Sequence, residues 1–146
     1  MTRKTFLTLV SLIAVAIGLF ALTSPGALLE SKGVVPNDAA RLWVREVGLL
    51  IFAQGVMSGL VRGHADSPTL RAFLLGSGLI QLGLFPLELI AWGNGLITKA
   101  SGVVPNSVLH AVLAASFGWF FVRSNRETRR QPDPSAHYQM PASTTP

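Results

Sequence analysis

Residues 70–92 read LRAFLLGSGLIQLGLFPLELIAW, with no charged side chain between Arg71 and Glu88. A run of about 20 apolar residues is what an α-helix needs to cross a hydrocarbon core. A helix is also required there, because lipid offers no partner to an unpaired backbone group. Three further runs share this character. Residues 6–23 end at Ser24-Pro25-Gly26, residues 38–62 end at Arg62, and residues 107–122 end at Arg123. The expected fold is all-α, a bundle of four transmembrane helices within residues 1–123. The polar, Pro-rich stretch 124–146 (Gln131-Pro132-Asp133-Pro134) is expected to be a disordered cytoplasmic tail.

Composition agrees with this expectation. Of 146 residues, 49% are hydrophobic and 13% charged, and the net charge is +5. A basic chain invites a nucleic-acid reading, but here the basic residues stand at the ends of apolar runs, where topology explains them. The chain has no cysteine, which excludes disulfides, thiolate metal sites and thiol redox chemistry. Arg3, Lys4, Arg62, Arg71, Arg123, Arg126, Arg129 and Arg130 fall on one side of the four runs. Lys32, Lys99, Arg41 and Arg45 fall on the other. This bias puts both termini in the cytoplasm of a cell bounded by the membrane in question. The first run has the basic start of a signal peptide. It lacks a small-x-small cleavage site before Pro25, so it is read as a retained helix.

Gly33-Val34-Val35-Pro36-Asn37 recurs as Gly102-Val103-Val104-Pro105-Asn106, and Gly26-Ala27-Leu28-Leu29 aligns with Gly95-Leu96-Ile97-Thr98 at the same offset. Each copy lies between two apolar runs. The expected local structure is a glycine helix stop, an extended Val-Val-Pro, and an asparagine cap on the next helix. Two parallel helix-loop-helix repeats would produce the pattern, and so would capping chemistry that arose twice.

Charged residues inside a span are costly and tend to face a bundle interior or a cavity. Arg41, Arg45, Glu46, Glu88 and His110 come out at similar height in the outer half of the bilayer, from three different helices. They are the candidate ligand-binding cluster, with Arg45 expected to pair with Glu88 or Glu46. The competing reading makes them structural ion pairs, with Arg41 snorkelling to the headgroups. Ser77, Gln81, Leu84 and Glu88 share a face, and Pro86 frees the carbonyl of Leu82 nearby. Gly48, Gly55 and Gly59 form a small-residue stripe suited to helix packing. Trp43, Trp92 and Trp119 fall where an aromatic belt would sit. No metal site is expected. His64 lies in a loop and His137 in the tail, so two histidines in one chain cannot axially ligate a haem within the bundle. No HExxH, phosphate loop or GxSxG elbow is present. Catalytic residues are therefore not assignable, although Glu88 and His110 could act as an acid–base pair.

The length, the basic N-terminus, the short loops and the Arg41-x-x-x-Arg45-Glu46-x-Gly48 opening of the second helix resemble small bacterial four-helix membrane proteins of the DoxX-like kind. The resemblance spans about residues 5–123 and implies a bacterial membrane protein. Some members are similar to subunits of quinone-linked oxidoreductases. The leading expectation is an accessory or structural multi-pass protein of the cytoplasmic membrane. One rival is a quinone- or lipid-binding redox or lipid-modifying component with an outer-leaflet polar pocket. Another is a small transporter working as a homo-oligomer or with a membrane-protein partner.

Overall fold

The computed structural model describes residues 1–130, with side chains through residue 127. It is all-α among these residues, with five helices: α1 (Arg3–Thr23), α2 (Pro25–Ser31), α3 (Asp38–Val61), α4 (Pro68–Gly93) and α5 (Ala100–Arg130). All but α2 are long and apolar enough to cross a membrane. Since α5 runs through Arg130, the start of the expected tail is helical; residues 131–146 lie outside the described residues.

Side-chain caps begin three of the long helices. Thr2 accepts from the Thr5 amide, Asn37 from the Ala40 amide at 2.8 Å, and Ser67 from the Leu70 amide, each satisfying an orphan N–H of a first turn. Pro68 follows its cap at the first helical position, where a missing N–H costs nothing. Antiparallel neighbours follow from the short connections. α1 packs along α3 and α4 along α5, while backbone approach between these two pairs is sparse.

The α1–α3 seam is built on glycine. A Cβ added to Gly18 would stand 2.6 Å from the Phe52 amide nitrogen, and one on Gly55 2.8 Å from the Val15 nitrogen. Without side chains there, the backbones meet directly and gain dispersion contacts that lipid cannot match. Gly48 lies against Ala21 and Gly59 against the Ser11 hydroxyl, so the α3 glycine stripe is engaged within the chain.

The two helix pairs meet through side chains instead. Phe6, Leu7 and Val10 of α1, Leu70 and Leu74 of α4, and Phe117 and Phe120 of α5 form the buried core. The Phe6 ring sits edge-on to Phe117 at 4.9 Å and stacked on Phe120 at 5.1 Å. Such pairs contribute about 0.5–1.5 kcal/mol each beyond their area. This plug lies at the end of the bundle that carries the N-terminus. Just beyond it, Asp66 joins three elements, pairing with Arg3 at 3.3 Å and Arg71 at 3.4 Å and accepting from the Ser124 hydroxyl.

At the opposite end the two repeated pentapeptides fold differently. α2 stops in a Schellman motif, with Gly33 at φ +75°, Val34 N–H donating to Leu29 and Gly33 N–H to Glu30. Val34 and Val35 then run non-helically to the Asn37 cap. In the second half that motif falls on Gly95 (φ +71°), with Leu96 N–H donating to Ala91 and Gly95 N–H to Trp92. The expected stop at Gly102 and cap at Asn106 are therefore corrected. α5 begins at Ala100 and carries Pro105 inside it, starting earlier than the expected residue 107. Tertiary packing explains the difference. Val103 is buried, and an added Cβ on Gly102 would meet the Lys32 Cα at 2.7 Å, so this segment docks as a helical turn on the end of α2.

Candidate functional site

Between the plug and the α2 end, the two helix pairs part to leave a cleft of about 350 Å³. Its walls come from all five helices and are mainly apolar, with Ile17, Val47, Ile51, Leu84 and Leu113 among them. Trp43 and Val47 line it yet remain exposed, so the cleft is open on that side.

Polar groups enter this apolar space at three levels. Nearest the α2 end, the Lys32 ammonium pairs with Glu88 Oε1, and both side chains are largely buried. Lys32 caps α2, and its carbonyl accepts from the amides of Thr98 (3.1 Å) and Lys99 (3.2 Å). Thr98 Oγ1 also donates to the Gly33 carbonyl and Lys99 Nζ to that of Glu30. The α4–α5 connection thus fixes the residue that faces Glu88. Two helical turns further along α4, about 10 Å deeper at 1.5 Å per residue, Gln81 Oε1 lies 2.6 Å from His110 Nδ1. His110 Nε2 lies 3.1 Å from Asn106 Nδ2 on the preceding turn of α5. An amide oxygen on one side and an amide NH₂ on the other select the imidazole tautomer with its proton on Nδ1. Deeper still, Gln54 of α3 donates to Ser77 of α4 at 2.6 Å.

The expected cluster is thus only partly assembled. Glu88 and His110 both line the cleft. Arg41, Arg45 and Glu46 do not; all three are exposed on the first turns of α3. The expected Arg45–Glu88 pair is corrected to Lys32–Glu88. Arg45 and Glu46 make no ion pair among the described residues, and Arg41 lies over Gly26 of α2. The cause is α2 itself: its helical turn brings Lys32 back over the bundle, a position that a charge in an irregular loop would not hold. No hydrogen bond joins Glu88 to His110, whose two ring nitrogens are both engaged by amides. No group of three or more His, Cys, Asp or Glu able to hold a metal occurs among the described residues.

Lys32, Gln54, Gln81 and Asn106 complete the wall, and the buried Ser77 holds Gln54 from α4. Gln81 and Ser77 were visible in the sequence as companions of Glu88 on one helix face, whereas Lys32, Gln54 and Asn106 were not singled out for the site. Gln54 carried a usable signal, since an amide in the middle of an apolar span needs a partner.

Together these features define a class: an all-α bundle with four helices able to span a membrane, split by a polar-edged cleft. Comparison of the chain with family models, with curated proteins and with solved structures finds no match.

Proposed function

We propose that this chain is a multi-pass protein of a bacterial cytoplasmic membrane, with both termini cytoplasmic. In this reading the cleft holds an amphipathic small molecule drawn from the outer leaflet, as the binding element of an accessory or carrier protein rather than by catalysis. The observation that carries the proposal is the cleft itself. It reaches the size of small-molecule sites, about 300–1,000 Å³, and has their pattern of apolar walls with a few convergent polar groups. A bundle held together by packing alone has no need of such a space. The orientation rests on the Lys/Arg bias, which sets the plug and Asp66 at the cytoplasmic side and the Lys32–Glu88 level near the outer surface. The DoxX-like resemblance supports the bacterial setting.

A structural reading has its own support. Lys32–Glu88, Gln54–Ser77 and Gln81–His110 each bridge different helices, as intramembrane polar glue would. Descent from a duplicated helix-loop-helix unit is supported by the shared pentapeptide at the same end of both halves. Oligomeric transport through the α3 glycines is disfavoured, because α1 already occupies them.

Native mass spectrometry of the full chain from mild detergent tests the proposal, run beside Leu113→Trp, which fills the cleft. The expected result is a stoichiometric lipophilic adduct on the wild type that Leu113→Trp lacks. A folded wild type with no adduct, or the same adduct on both proteins, would favour the structural reading.

A further inference from the structure

We propose that the end of the bundle carrying the N-terminus holds the phosphate head of an anionic phospholipid, at a site across the aromatic plug from the cleft. It stands whether or not the cleft is occupied.

A recess of about 500 Å³ opens there, between the start of α1, the α3–α4 connection and the later turns of α5. Four basic side chains line it: Arg3, Lys4, Arg62 and Arg123. Glu127 is the one acidic side chain among them. Two of the cations are already engaged. Arg3 pairs with Asp66 at 3.3 Å and donates to the His64 carbonyl at 2.8 Å. Arg123 pairs with Glu127 at 2.9 Å. Lys4 and Arg62 have no carboxylate partner among the described residues. Arg62 donates from one nitrogen to the Gly59 carbonyl, which leaves most of its five N–H groups for another acceptor. Asp66 fixes the surroundings, since Arg3, Arg71 and Ser124 reach it from three helices. An anion therefore meets two unpaired cations in a recess whose walls are tied in place.

The topology bias asks only that basic residues follow the ends of spans. It does not require three elements to converge on one recess, and basic pockets between transmembrane helices are a recurrent way of holding lipid heads. The flank of the recess favours a lipid over a soluble phosphate. Arg123 and Glu127 also line the outer side of α5, beside the exposed Trp119 and Val122. A head seated on Lys4 and Arg62 would have that apolar surface for its glycerol and the first carbons of its chains. A soluble phosphate would leave it bare. A zwitterionic head would bring its own cation into a recess already in positive excess.

The test titrates the delipidated full chain in detergent with phosphatidylglycerol and counts bound lipids by native mass spectrometry. One saturable lipid is expected, bound more tightly than phosphatidylcholine with the same chains, and equally well by Leu113→Trp, which separates it from any occupant of the cleft. The double variant Lys4→Gln, Arg62→Gln should weaken it roughly thirtyfold, the product of two basic residues near an anionic surface. Lys4→Arg with Arg62→Lys should retain it. So should Arg41→Gln with Arg45→Gln, which removes the same charge at the other end of the bundle. Equal weakening by the two charge-removing pairs, or phosphatidylcholine binding as tightly, would overturn the inference and leave the reading of the cleft untouched. Displacement by inorganic phosphate beyond that by chloride at equal ionic strength would overturn it too, in favour of a soluble anion.

Discussion

The seam between the α1–α3 and α4–α5 pairs differs at its two ends. At the terminal end it is closed by Phe6, Phe117, Phe120 and their aliphatic neighbours, with no polar side chain in the core cluster. Toward the α2 end the same helices part, and Lys32, Glu88, Gln81, His110 and Gln54 face the space between them. Both ends join the same two pairs, so joining them does not require a cleft. The closed end shows that these helices can pack side chain to side chain. The open end shows where they do not, and there the polar side chains of the cleft wall meet the space left between the pairs.

The contrast can be broken at several points. The largest effect is expected at Gly18. In Gly18→Leu the side chain must enter backbone atoms of α3, and the substitution should abolish a stable bundle, read as loss of cooperative thermal unfolding in detergent. Phe120→Ala, in the plug but not in the cleft wall, should cost about 3 kcal/mol, measured in the same way. It should leave ligand recovery per folded chain unchanged, since the polar wall stays in place. Glu88→Gln removes the partner of a largely buried ammonium and should cost about 2 kcal/mol, more than the double variant Lys32→Met, Glu88→Leu. A double variant as damaged as the single one would deny the pair its isolation from water. Smallest is Arg45→Ala, expected within about 0.5 kcal/mol of wild type and additive with Glu88→Gln in a double-mutant cycle. Coupling between those two would restore the pairing that the sequence suggested.

How much of this was legible beforehand depends on the kind of signal. Hydropathy located the four long helices, because an uncharged run of that length has few other uses. Glu88 and His110 stood out because ionisable groups in apolar spans are rare. Lys32 was counted only toward topology. Its place in the site depends on α2, a seven-residue helix too short to announce itself by periodicity. The cap signal worked at Asn37 and failed at Asn106, although the preceding residues are identical. The burial of Val103 and the contact of Gly102 with Lys32 decided the second case, and both are tertiary effects. The neutral pair Gln54–Ser77 joins helices whose relative rotation no single-helix pattern specifies.

The claim that matters most is that the open end receives an amphiphile. Trp43 lines the cleft, so it can report on an occupant if Trp92 and Trp119 are replaced by Phe. The most direct measurement titrates that single-tryptophan chain in nanodiscs with a long-chain alcohol brominated near its head. Saturable fluorescence quenching is expected on top of the gradual loss from bulk partitioning, with the saturable part absent when Leu84→Phe and Leu113→Phe together fill the cleft. Quenching that rises only in proportion to bulk alcohol, the same in wild-type and filled clefts, would contradict it.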